Sequence, residues 1–258
     1  MASILFQQED NLAIITLNRP EKLNSFNREM ALLLQEKLDE CAASKTIRCV
    51  YITGAGKGFC AGQDLAEVTT PGGPGFNQIL SEHYNPIVSK IRELEKPVVA
   101  AVNGVAAGAG ANIALCCDIV VASQSASFIQ AFSKIGLIPD SGGTYFLPRL
   151  IGWQKASAVM MLGDKVSAEE AERWGMIYKY FADADFETAS KAIARQLSVM
   201  PTQALALTKK ALQWSFTHTM SGQLVNEDKL QQRAASTSDY QEGISAFMEK
   251  RAPQFKGA

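Results

Sequence analysis

The chain has 258 residues, 47% of them hydrophobic and 20% charged, with a formal net charge of −1. That length buries a substantial core without disulfides or a cofactor, and the balanced charge excludes a whole-chain footprint for nucleic acid or an anionic membrane. An anionic ligand therefore has to be held by local groups.

The residues after Met1, Ala-Ser-Ile-Leu-Phe-Gln-Gln-Glu-Asp, supply neither a basic leader nor a long apolar stretch, so no secretory signal or membrane span is expected and a cytoplasmic location is. Short β-branched runs bounded by turn residues predict buried strands at Leu12–Leu17, Val50–Thr53, Val98–Val102 and Ile119–Ala122. Between them, helical patterns cover Asn27–Ser44 after an Asn24-Ser25 cap region, Tyr84–Leu94, and the alanine-rich Ala109–Cys117. Strand and helix in alternation imply an α/β core. Thr69–Gly75, rich in proline and glycine, reads as a surface loop and a candidate lid.

From Gln154 onward the pattern is helical only: Ser167–Trp174 behind a capping box, then Phe186–Leu197, Thr202–Phe216, Gly222–Ala235 and Ser238–Lys250. The expected organisation is a core domain over 1–195 carrying the site and a helical region over 196–258, too short for a large core of its own. Five cysteines without a CxxC pair fit reduced, mostly buried thiols rather than a disulfide frame. The two histidines, His83 and His218, come without HExxH, a Cys/His cluster or a GxSxG elbow, so neither a metal site nor a serine triad is indicated.

Three segments place glycines where a strand hands over to a helix. Thr53–Leu65 is a glycine-rich turn that lacks the P-loop spacing. Lys96–Asn112 runs from an apolar strand through Asn-Gly into small residues that open a helix; its glycines miss the GxGxxG spacing. Small side chains there suit both close helix packing and the approach of a ligand to free amides at a helix start. In Phe132–Tyr145, Asp140 follows a proline and precedes Gly142-Gly143. It reads as a turn former, or, if it faces an apolar cleft, as a carboxyl whose pKa rises toward general acid/base use.

In this order, Leu17–Phe26, Gly58–Leu65, Pro97–Gly110, Cys117–Val120, Gly136–Gly143 and Glu242–Arg251 resemble the crotonase (enoyl-CoA hydratase/isomerase) superfamily over nearly the whole chain. The resemblance implies a crotonase-type spiral of repeated ββα units with a helical C-terminal region that trimerises, often as a dimer of trimers. It implies an acyl-CoA substrate, with no cofactor beyond the coenzyme A that the substrate carries, and no nucleic-acid or membrane partner. It assigns the thioester oxygen to the backbone amides of Gln63 and Ala109, the latter between Gly108 and Gly110. A CoA wall falls to Lys22, Leu23, Ala61, Gly62, Asp64 and Leu65, with Phe247 and Lys250 as further candidates, and Tyr84 and Tyr145 as candidate acyl-site residues. Cys60 is expected to be a structural thiol.

Where hydratases of the superfamily carry two glutamates, the matching positions are Asn112 and Phe132. Neither is a base, whereas Asp140 matches the single carboxylate of members that shift double bonds. Within the superfamily, Gly58–Leu65, Asn103–Ala111, Ala131–Gly143 and Ser238–Phe255 most resemble the ring-1,2-epoxyphenylacetyl-CoA isomerases of phenylacetate degradation. The rivals are a Δ3,Δ2-enoyl-CoA isomerase using the same positions, and a non-catalytic acyl-CoA- or RNA-binding member, the latter disfavoured by the near-neutral charge.

Overall fold

Alternating side chains along a strand face opposite sides of a sheet, and in this protein the alternation feeds two separate cores. The computed structural model describes residues 2–70 and 72–258. Among these, the strands in chain order are β1 (Ile4–Glu9), β2 (Leu12–Leu17), β3 (Cys49–Gly54), β4 (Gly58–Cys60), β5 (Val98–Val102), β6 (Val105–Ala107), β7 (Ile119–Ser123), β8 (Ser127–Ile129), β9 (Lys165–Ser167) and β10 (Lys179–Phe181). The larger sheet has the order β1-β2-β3-β5-β7-β10, parallel except for β1. The smaller has the order β4-β6-β8-β9, with β9 antiparallel. The pairs β3–β4, β5–β6 and β7–β8 each give one strand to the large sheet and the next to the small one. This repeat is the expected spiral.

The helices are α1 (Arg28–Ala43), α2 (Leu65–Thr69), α3 (Phe76–Gln78), which continues through a π-helical stretch at Ile79–Tyr84 into α4 (Asn85–Glu93), α5 (Ala109–Leu115), α6 (Gly143–Ile151), α7 (Trp153–Leu162), α8 (Ala168–Arg173), α9 (Phe186–Val199), α10 (Thr202–Ser215), α11 (Met220–Ala235) and α12 (Ser238–Glu249). One face of the large sheet, with Val50, Ile52, Val98, Ala100 and Val102, packs beneath α1, α4 and α5. The other, with Leu12, Tyr51, Val99 and Val121, is covered by Phe186 and Ala194 of α9. Central strands covered on both sides read as unbroken apolar runs, which is why β2, β3, β5 and β7 were legible.

Three expectations are corrected. The region after Gln154 is not helix only: β9 and β10 interrupt it, and strands of three residues are too short to show a period. The cap of α1 is Asn27, whose side chain accepts from the Met30 N–H at 3.0 Å, rather than Asn24-Ser25. Asn24 is buried and instead clips the glycine-rich turn, donating to the carbonyls of Ala55 and Gly58 at 2.9 and 2.8 Å. β1 also went unseen, because Gln7-Gln8-Glu9 is polar on an edge strand. Pro71 of the Thr69–Gly75 loop lies outside the described residues; within the loop, Gly73 N–H donates to Thr70 O at 2.8 Å.

The boundary drawn at 195/196 passes through α9. Buried ions join the last helices to the sheet. Lys209 of α10 reaches Asp118 at 2.9 Å and donates to the carbonyl of Ile91 at 2.7 Å, and Arg92 meets the same aspartate at 3.3 Å. Arg48 donates to Thr202 Oγ1 and the Phe255 carbonyl, both at 2.9 Å. All five cysteines are buried and free, and no helix among the described residues is long and apolar enough to cross a membrane. Removing one partner of a buried ion pair strands the other. Asp118→Ala, which leaves Lys209 unpaired, is therefore expected to lose about 3–5 kcal/mol of stability, read from urea unfolding midpoints.

Candidate active site

Two glycine-rich segments meet edge to edge. Gly62 has φ +92°, and a Cβ there would lie 3.0 Å from Ala107 O and 3.5 Å from Ala109 N, so residue 62 abuts the start of α5. At the other end of the contact, a Cβ on Gly110 would stand 2.4 Å from Cys60 O and 2.6 Å from its sulfur. The segments can come this close only because neither glycine has a side chain. Cys60 is fully buried and its thiol is pushed up to about 12 by burial. It packs as a structural thiol, as expected.

The approach leaves two main-chain donors free. Gln63 forms a parallel bridge with Phe26, in which Phe26 N–H donates to Gly62 O at 2.7 Å and Asp64 N–H to Phe26 O at 2.8 Å. In a parallel ladder the residue between such bonds turns its own N–H the other way, and the Gln63 N–H has no acceptor among the described residues. Ala109 opens α5: Gly108 N–H goes to Ile129 O at 2.8 Å, and Asn112 N–H closes the first turn on Gly108 O at 3.2 Å. The Ala109 N–H therefore belongs to the unsatisfied first turn. Phe132, 6% exposed, sets its ring 3.7 Å from where a Cβ of Gly108 would be.

Asp140 lies in the loop before α6. Its carboxyl is held above the usual carboxylate range by burial, against the opposing pull of a hydrogen bond from Ser141 Oγ to Oδ1 at 2.8 Å. Ser141 adopts φ +52°, a conformation that costs a non-glycine residue about 1–2 kcal/mol. The main-chain carbonyl of Asp140 accepts from Gly143 N–H and from Asn112 Nδ2, both at 2.8 Å. Tyr84 is 1% exposed and donates its hydroxyl to Gln63 Oε1 at 2.8 Å. Burial holds its phenol well above its usual range. Gln63 is held at its other end by Glu67, at 2.9 Å from Nε2.

The other expected residues divide. Leu23 O accepts from Ala61 N–H at 2.9 Å, so the Lys22-Leu23 turn and Ala61–Leu65 form one wall. Asp64 belongs to that wall as a fastening: burial, the largest influence, would raise its pKa, but the bond to Arg19 at 2.8 Å, the Ala66 N–H and the charges of Arg19 and Lys22 together lower it. Leu65 is exposed. Tyr145, partly exposed, meets Phe146 and Phe216 edge to face and carries the Arg149 guanidinium 3.8 Å from its ring centre. Phe247, 82% exposed, lines a hollow of about 520 Å³ between α10, α11 and α12, and Lys250 caps α12. His83 is buried beside Arg28, and His218 stacks on Trp214.

Sequence reasoning missed Arg19, Asn24, Asn103, Gln130 and Ser141. Asn103 Oδ1 accepts from Gly54 N–H and its Nδ2 donates to Gly56 O, both at 3.0 Å, which shapes the first glycine-rich turn. The available signal was confined to Asn103, which stands before Gly104 in the second glycine segment, a pairing that also fits an ordinary turn.

A family model for enoyl-CoA hydratase/isomerase matches residues 7–258. The 1,2-epoxyphenylacetyl-CoA isomerase of Escherichia coli is 48% identical over 260 residues, covering 100% of this chain and 99% of that protein. The 2,3-dehydroadipyl-CoA hydratase of Escherichia coli is 33% identical with 100% of both chains covered. Among solved structures, an enoyl-CoA hydratase from Bacillus anthracis superposes with a TM-score of 0.92 at 32% identity, over 99% of this chain and 100% of that one.

The junction between the glycine segments is open to a direct check. Gly110→Ala forces a methyl into Cys60 and is expected to cost about 1–3 kcal/mol, whereas Gly75→Ala, with open space around it, is expected to leave the urea midpoint unchanged.

Proposed function

The chain belongs to the enoyl-CoA hydratase/isomerase family, and within it we propose that it is an acyl-CoA isomerase that converts ring-1,2-epoxyphenylacetyl-CoA to oxepin-CoA. The observation that carries the reading is a desolvated carboxyl at Asp140 in a loop whose main-chain carbonyl accepts from Asn112 at 2.8 Å; by resemblance, Asn112 and Phe132 stand where hydratases carry their paired glutamates. Water activation needs a second base; isomerisation needs only one group that takes a proton and gives it back. Ionised Asp140 removes a proton from the carbon next to the thioester, and the electron pair moves onto the thioester oxygen. The amides of Gln63 and Ala109 donate to that oxygen, an arrangement worth about 3 kcal/mol of barrier per donor. The proton returns to a ring carbon as the epoxide-bearing ring opens to the seven-membered oxepin. Substrate and product have the same atoms, so the balance requires no co-reactant. The 48% identity to an isomerase of this name supports the choice of substrate.

The remaining parts of the reading are a homotrimer or dimer of trimers in the cytoplasm. Exposed apolar side chains on α11 and α12, among them Met220, Leu224, Ile244 and Met248, support a partner surface there.

Asp140→Asn is expected to lower kcat by about 10³-fold while still binding acyl-CoA, measured by the rate of epoxide loss and by thioester titration. The wild-type rate in that variant would sink the reading, and faster turnover of an aliphatic 3-enoyl-CoA would move the assignment to a Δ3,Δ2-enoyl-CoA isomerase. Catalysis requires the ionised form, so kcat/KM should fall as pH drops through a pKa above the usual carboxylate range. Stability runs the other way. With the folded pKa raised, the neutral acid's contribution is fully present below the unfolded pKa and is lost as pH rises through the folded one. Asp140→Asn is therefore expected to melt higher than the wild type at neutral pH.

A further inference from the structure

Asn112 is fully buried within α5, and both ends of its amide are engaged. Nδ2 donates to the main-chain carbonyl of Asp140 at 2.8 Å, and Oδ1 accepts from Gln130 Nε2 at 2.7 Å. The carbonyl at the end of this chain fixes the orientation of both amides. A carbonyl only accepts, so Asn112 must turn its NH2 toward Asp140, and Gln130 must then turn its NH2 toward Asn112. Gln130 is 2% exposed, and its Oε1 has no partner among the described residues. Leaving an acceptor buried and unpaired is unfavourable, so the bond to Asn112 is what the buried Gln130 amide contributes. Gly143 completes the device: its N–H donates to the same carbonyl, and a Cβ on it would lie 2.4 Å from Asn112 Nδ2. Ser141, held at φ +52°, fastens the Asp140 side chain at Oδ1.

We infer that Asn112 and Gln130 are positioning residues that set the Asp140 carboxylate by gripping its main-chain carbonyl. The inference rests on the isomerase reading and deepens it. The amide at 112 is more than a missing glutamate, because it turns that position into a strut. A carboxylate that must reach two carbons in turn tolerates little displacement, and a shift of about 1 Å at a reacting group costs on the order of 100-fold in rate.

The test is a double-mutant cycle with Asn112→Leu, which keeps the branched skeleton but has no donor, and Gln130→Met. It follows whichever thioester, the epoxide or a 3-enoyl-CoA, the wild type isomerises faster. Asn112→Leu is expected to lower kcat about 10- to 100-fold per folded molecule, with KM within about twofold of the wild type. Gln130→Met is expected to show a smaller loss with the same split. Because Gln130 acts only through Asn112, the double variant should be no slower than Asn112→Leu alone. Additive losses, or a loss of melting temperature with kcat intact, would overturn the inference. Should Asn112→Leu fail to fold, Gln130→Met decides alone through its kcat and KM. Asp140→Asn serves as the control: if it stays active, the isomerase reading itself falls, whereas an inactive Asp140→Asn beside a fully active Asn112→Leu removes only the strut.

Discussion

A main-chain N–H inside a protein stays unpaired only where the fold withholds every internal acceptor from it, and among the described residues two such groups, at Gln63 and Ala109, stand where the glycine-rich segments meet. Gln63 stays unpaired because the bridge to Phe26 uses the bonds on either side of residue 63 and none of its own. Ala109 does so by standing first in α5. Both donors belong to segments that touch through Gly62 and Gly110, so the close approach of two backbones and the pair of unpaired donors are one feature. The spiral brings this about by sending β4 and β6 as neighbours into the small sheet, so that the turns that follow them converge.

Around this junction, neutral amides do work that charges would do badly. Asn24 and Asn103 shape the first glycine turn, and Asn112 and Gln130 reach the loop that bears Asp140. Each amide offers a donor and an acceptor and brings no net charge into a buried place. A second carboxylate at 112 would repel both the Asp140 carbonyl and its side chain. The desolvation that lifts the Asp140 pKa also burdens the folded state with an ion it holds poorly.

The C-terminal helices are joined to the core by a different currency. Lys209, Arg92 and Asp118 form a largely buried cluster, while Arg48 and Asp239 hold the final residues, the latter accepting from Lys256 and Gly257 N–H at 2.7 Å. Pairs of this sort are costly to break one partner at a time. They fix the place of α10–α12, whose outer faces carry large apolar side chains in the open.

The sequence by itself determined the α/β class, the strands β2, β3, β5 and β7, the capping box of α8 and the family, because unbroken apolar runs, cap residues and ordered glycine motifs are local patterns. It also singled out Gln63, Ala109, Asn112, Phe132 and Asp140 by their place in those motifs. Only the tertiary structure decided that β9 and β10 are strands, since three residues become a strand through the neighbour they pair with. It also decided that Tyr145 packs edge to face against Phe146 and Phe216 and that Phe247 lines a hollow among the last three helices, since which side of a helix meets which element is a property of packing rather than of sequence spacing. The roles of Gln130 and Ser141 were equally invisible. A hydrogen bond between residues 18 apart in the chain, or a serine bent into a left-handed conformation, exists only once the fold has brought its partners together.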